Sequence, residues 1–126
     1  MRLLLDSAFV IDHMRGVPEA VERYRALFKA GDEPFVNEIV VCEVRAGTKS
    51  ADLPSFHAFF EPVEFIQPGP GAAQVAGSWR DHARQQGFHL SLADALVASA
   101  AQAVGAAVLT RNVKDFALTP VRVETY

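Results

Sequence analysis

The chain has 126 residues, half of them hydrophobic and 21% charged, which suits one globular domain with its own core and excludes a disordered chain. A net charge of −3 lacks the overall basic signature of proteins that coat duplex nucleic acid; it leaves room for a nucleic-acid substrate reached through a metal and a local patch. The single cysteine, Cys42, excludes an intramolecular disulfide and fits a reducing cytoplasm.

Leu3 to Leu5 predicts a short buried strand that stops at Asp6, too short for the core of a signal peptide. A helix follows from about Ser7 to Arg15, ended by Gly16. Pro18 suits the first turn of a second helix, with Val21, Tyr24, Leu27 and Phe28 on one face and Gly31 as its stop. Pro34 to Val36 predicts a second strand. Asn37 then caps a helix running to Arg45 or Ala46, closed by Gly47. Cys42, inside that helix, is expected to be a buried small apolar residue. Asp52 is expected to cap a further helix with Pro54 near its start, carrying Phe56, Phe59 and Phe60. Val63 to Ile66 predicts a third strand, and Pro68 to Gly71 a turn. A long helix to about Gln86 is closed by Gly87, and another runs from Ser91 to Gly105. Ala106 to Leu109 predicts a fourth strand and, after a short turn, Val121 to Glu124 a fifth. The Ala-rich stretch from Ala93 to Leu109 contains Asp94, Gln102 and Gly105, so it is a packed helix and strand, and no membrane span is expected.

Strands alternating with helices predict an α/β domain over residues 1–126 with a parallel sheet between helices. In such sheets ligands bind at the carboxyl ends of the strands, where strand order reverses. Asp6, Glu43, Asp94 and Asp115 all fall at places that belong to this rim. Converging carboxylates repel one another, and a divalent cation is the usual reason to tolerate them.

Each acid also admits a plainer reading. Asp6 stands just before a helix, as a cap does. Ser91 and Asp94 have the spacing of a capping box, as do Asn112 and Asp115. Glu43 is too far into its helix to cap it and lies in the apolar segment Ile39 to Val44, where an ionised carboxylate needs a partner. Glu38 favours the helix dipole. Asp12 and Arg15 have i,i+3 spacing for a surface pair. His13, His57, His82 and His89 lack the paired spacing of a zinc site. Ser7 lacks the context of a hydrolase nucleophile and is expected to order the Asp6 turn through its hydroxyl. Arg111 and Lys114 flank Asp115, either to meet the phosphates of a nucleic acid or as solvated charge. The Phe56, Phe59 and Phe60 set is core packing or a groove for a partner chain.

Four pieces in order resemble the PIN domain, in particular the VapC-type ribonuclease toxins of type II toxin–antitoxin pairs: Leu4 to Asp12, Glu43 to Gly47, Leu92 to Ala98, and Leu109 to Phe116. Together they cover essentially the whole chain. The resemblance implies a five-stranded parallel sheet and an acidic cluster binding Mg²⁺ or Mn²⁺. It implies RNA phosphodiester cleavage by an activated water, a cognate antitoxin and a homodimer. By resemblance Asp6, Glu43 and Asp94 are metal-ligand acids. The fourth stands at Asn112 or at Asp115; Asn112 is an amide, so Asp115 takes the role, with Asn112 and Thr110 beside it. Asn37 and Val40 depart from the family's usual hydroxyl residues. One metal or two is left open.

Other functions are disfavoured. A response-regulator receiver needs an Asp after the third strand, where Gln67 and Pro68 stand. A dehalogenase-type phosphatase needs a second acid at Ala8. The remaining alternative is a non-catalytic binding module with the same fold.

Overall fold

Leu3, Leu4 and Leu5 are completely buried in the computed structural model, which describes residues 1–126. Successive strand residues point to opposite faces, so three buried in a row means that both faces of the strand are covered. That strand, β1 (Arg2–Leu5), is central. It pairs in parallel with β2 (Glu33–Val36) on one side, Leu3 opposite Pro34. On the other side it pairs with β4 (Ala107–Leu109), Leu3 opposite Ala107. Two-residue strands, β3 (Glu64–Phe65) and β5 (Val123–Glu124), flank these in the five-stranded order β3-β2-β1-β4-β5, every pairing parallel. Strand order reverses between β1 and β4, the crevice where an α/β sheet presents ligands.

The helices are α1 (Ser7–Met14), α2 (Pro18–Lys29), α3 (Glu38–Ala46), α4 (Leu53–Phe60), α5 (Pro70–Gln85), α6 (Leu92–Ala103) and α7 (Val113–Phe116). Gly16, at φ 76°, makes the sharp turn between α1 and α2 in a conformation that a side chain would strain. Pro18 opens α2 with its fixed φ. Asn37 caps α3 as expected, its side-chain oxygen accepting from the Val40 amide at 3.2 Å, while its amide group donates to the Leu96 carbonyl of α6. Ala76 and Ala83 of α5 and Ala95 of α6 are buried in one small cluster, where short side chains let the two helices pack closely. A larger cluster of 23 buried residues fills the space around the sheet. Phe56 and Phe59 of α4 belong to it; Phe59 stacks on Tyr24 at 4.3 Å, and Phe60 is partly buried against the same cluster.

Several expectations are corrected. Residues 113–116 form a helix, α7, where only a turn was expected. The buried face of α2 is carried by Ala20 and Leu27, while Phe28 is 41% exposed. Asp52 precedes α4 at the end of a 3-10 turn (Ser50–Asp52) and its side chain makes no cap bond. Cys42 is exposed, because the buried stripe of α3 runs through Val40 and Val44 and turns residue 42 outward. No helix is long and apolar enough to cross a membrane.

Candidate active site

The carboxyl end of β1 delivers Asp6 to the point where strand order reverses, and the end of β4 delivers Thr110 beside it. Asp6 occupies the N-cap position of α1, but its side chain makes no cap bond. Its Oδ2 instead accepts a 2.8 Å hydrogen bond from the Thr110 hydroxyl, across 104 positions of sequence. Thr110 Oγ1 in turn accepts from the Asn112 amide at 2.9 Å, so one buried hydroxyl ties Asp6 to the loop after β4. The contact from Ser7 comes through its backbone amide rather than the expected hydroxyl.

Asp6 is 4% exposed. Burial pushes its carboxyl up to about 6; Asp94 and Glu43 add to the rise, and Thr110 and the Ser7 amide oppose it. Asp94, half-buried in the first turn of α6, is also raised, first by burial and then by Asp115 and Glu43, with Ser91 opposing. The four acids thus occupy one electrostatic neighbourhood. Asp6 and Asp94 are its inner pair, Glu43 acts on both, and Asp115 acts on Asp94. Glu43 and Asp115 are exposed. Glu43 therefore needs no buried partner, contrary to the reading of its segment as wholly apolar: three residues on from Val40 it flanks the buried stripe, and its side chain is exposed.

The capping reading of Asp94 is half right. Ser91 caps α6 by accepting from the Asp94 amide at 3.0 Å, but the Asp94 carboxylate makes no return bond to the Ser91 amide. Its charge is left to the rim. Ser91→Ala is expected to cost about 1 kcal/mol in thermal or urea unfolding, the usual value of such a cap, with Ser91→Thr close to wild type. Asn112 begins α7 without a side-chain cap bond, so the second capping-box reading fails too.

Asp12 corrects the sequence most. It is 5% exposed, not a surface residue paired with Arg15. Its Oδ1 is ion-paired with Arg111, and its Oδ2 accepts from the Tyr126 hydroxyl at 2.6 Å. Burial alone would raise its carboxyl, but Tyr126 and Arg111 together hold it below the ordinary value. The spacing of Asp12 and Arg111, 99 positions, is invisible to local periodicity. Lys114 lies exposed on α7. His13 packs edge-on against the stacked pair Tyr24 and Phe59, and burial lowers its pKa; His57, His82 and His89 are exposed, and none joins the acids. A recess of about 380 Å³ between α3, α5 and α6, edged by Asn37, Ile66 and Leu96, is lined by none of the four acids.

No three His, Cys, Asp or Glu side chains lie close enough to chelate one ion by themselves. The donors present are nonetheless all hard carboxylate oxygens, and the innermost is held at a raised pKa first by burial and then by the charges of Asp94 and Glu43. That combination fits Mg²⁺ or Mn²⁺ better than zinc, because Mg²⁺ keeps several waters and takes few direct protein ligands.

The fold is shared with known proteins. The chain matches the PIN domain over residues 3–120 and is a member of that family. It is 31% identical over 117 residues to ribonuclease VapC19 of Mycobacterium tuberculosis, covering 93% of this chain and 94% of the relative. Among solved structures it resembles a chain of VapBC2 from Rickettsia felis bound to a DNA fragment from their promoter, with TM-score 0.88 and 22% identity over 100% of this chain and 99% of that one. A toxin–antitoxin complex from Klebsiella pneumoniae contains a chain similar at TM-score 0.78 and 27% identity, covering 98% and 96%. The sequence-based assignment to a VapC-type PIN domain with a five-stranded parallel sheet is therefore correct.

Proposed function

We propose that this protein is a Mg²⁺- or Mn²⁺-dependent endoribonuclease and the toxin of a type II toxin–antitoxin pair. The observation that carries the reading is Asp6 at the reversal of strand order with Asp94 and Glu43 in electrostatic reach of it and Asp115 in reach of Asp94. The relative named a ribonuclease and the toxin–antitoxin complexes of the same fold support it.

In this reading Asp6 and Asp94 hold the ion, and Thr110 keeps Asp6 facing the rim. A divalent ion bound there lowers the pKa of a water and offsets charge on the leaving oxygen. Glu43, exposed on α3, would take a proton from the water that attacks phosphorus, and the leaving ribose oxygen would take one from solvent as its bond to phosphorus breaks. Asp115 holds waters or a second ion from the α7 side, with Asn112 adjacent. Arg111 and Lys114 lie on the same loop and helix, on the side where substrate phosphates would pass. The cognate antitoxin covers the toxin until it is released, and the working unit is a homodimer in a reducing cytoplasm.

The test is metal titration. Calorimetry of the purified protein should show Mn²⁺ or Mg²⁺ binding that is lost in Asp6→Asn, and a single-stranded RNA should be cut only when metal is present. Absence of both binding and cleavage across the titration would leave a non-catalytic binding module.

A further inference from the structure

On the ribonuclease reading the acid rim accepts a polyanion, and a cation beside it is firmly held. Arg111 sits between Thr110, which holds Asp6, and Asn112, whose amide bonds back to Thr110. It lies within electrostatic reach of Asp6. Its Nη1 is ion-paired with Asp12, whose side chain is only 7% exposed, while the Arg111 side chain itself is 49% exposed. The second Asp12 oxygen is taken by the Tyr126 hydroxyl, and the Tyr126 ring rests edge-on against the fully buried Phe9 at 5.0 Å. One edge of the guanidinium is thus anchored, through Asp12 and Tyr126, to the core. A guanidinium carries five N–H donors, and no other protein acceptor engages those of Arg111. The acid of this pair is buried while the base faces solvent, so its remaining donors are open to a ligand.

We propose that Asp12 and Tyr126 are positioning residues, which hold Arg111 so that the free edge of its guanidinium takes an RNA phosphate next to the one that is cleaved. The inference rests on the ribonuclease reading above. A planar fork held in advance loses little freedom on meeting a phosphate and suits two parallel hydrogen bonds. Asp12 thereby contributes to substrate binding without touching substrate, and Tyr126 acts only through Asp12 and Arg111.

Binding of a short fluorescein-labelled single-stranded RNA, followed by anisotropy over a series of KCl concentrations with Mg²⁺ present, tests this. Asp94→Asn is used as the background so that the RNA stays intact. Arg111→Ala is expected to weaken binding about tenfold and to reduce the slope of log affinity against log salt by about 0.7, the share of one single-strand phosphate. Arg111→Lys should restore the slope but only part of the affinity. Tyr126→Phe, which keeps the ring on Phe9, should weaken binding about threefold alone and not at all when added to Arg111→Ala. In wild-type background the same changes should raise KM with kcat nearly unchanged. An unchanged salt slope in Arg111→Ala overturns the proposal, as does a Tyr126→Phe loss that persists in full on top of Arg111→Ala. So does an Arg111→Ala protein that keeps its RNA affinity while losing its antitoxin. If the wild type cleaves RNA and any of these is seen, this inference alone falls; a wild type that neither binds nor cleaves RNA removes the ribonuclease reading with it.

Discussion

Asp6→Asn is expected to abolish RNA cleavage and, in the same preparation, to raise the melting temperature of the metal-free protein. The two effects have one cause. The Asp6 carboxyl has an unfolded value of 3.8 and is pushed to about 6 in the fold, first by burial and then by the charges of Asp94 and Glu43. The folded state therefore holds the proton more tightly than the unfolded state. Below pH 3.8 both states are protonated and there is no penalty. Between 3.8 and 6 the penalty grows as pH rises, and above 6 it is constant. The gap corresponds to roughly 3 kcal/mol of lost stability at neutral pH. Asparagine has the same shape, keeps an oxygen for the Thr110 hydroxyl and carries no charge. Calorimetric melts in EDTA at pH 7 should place Asp6→Asn on the order of 10 °C above wild type, with the difference gone at pH 3.5. Cleavage should fall about a thousandfold, since an ion's charge stabilisation is worth several kcal/mol. A lower melting temperature at pH 7 would mean that the carboxylate stabilises the fold, as a cap would. Asp94→Asn should behave in the same direction with a smaller thermal gain, because Asp94 is only half-buried.

Thr110→Val should do the opposite to stability. The two side chains are nearly isosteric, but Thr110 is fully buried and its hydroxyl both donates to Asp6 and accepts from the Asn112 amide. Valine leaves a buried carboxylate oxygen and a backbone amide without that partner, at a cost of about 2–3 kcal/mol. The Thr110 bond is also the largest influence holding the Asp6 carboxyl down. Its loss should raise that carboxyl further, let protons compete better with metal, and move the acid limb of kcat/KM to higher pH. An activity loss of roughly 10- to 100-fold at neutral pH is expected. Thr110→Ser restores the hydroxyl and should recover both the urea midpoint and the pH profile. A Thr110→Val protein with a wild-type profile would reduce Thr110 to a packing role.

The parts of this structure that were legible in the sequence are those written locally. Leu3 to Leu5, Pro18 and the Asn37 cap fix β1, α2 and α3 within a residue or so, because burial and capping act over a single turn or strand. The four-residue α7 was missed because it is too short to show a helical period. Glu43 was misjudged by counting apolar neighbours: it stands three residues from Val40, on the flank of the Val40 and Val44 stripe, and its side chain is exposed there. Asp12 is a different kind of failure. Its nearest sequence partner, Arg15, has ideal helical spacing, yet the partners that engage it arrive from Arg111 and Tyr126. Pairing across the fold leaves no periodic trace, so no local rule could have found it. The placement of Asp6, Asp94 and Asp115 at one rim was readable from strand and helix order, whereas the bond that holds Asp6 to Thr110 was not.

The central position of β1 has a temporal side as well. One of its two neighbours, β2, follows it directly, but the other, β4, is added only after α6. On the ribosome, Asp6 emerges early and waits for Thr110 through most of translation. A nascent chain carries Asp6, Glu43 and Asp94 without the strand and hydroxyl that fix the first of them. Order of synthesis thus completes the rim last: the strand and hydroxyl that fix Asp6 join it only when the polypeptide is nearly finished.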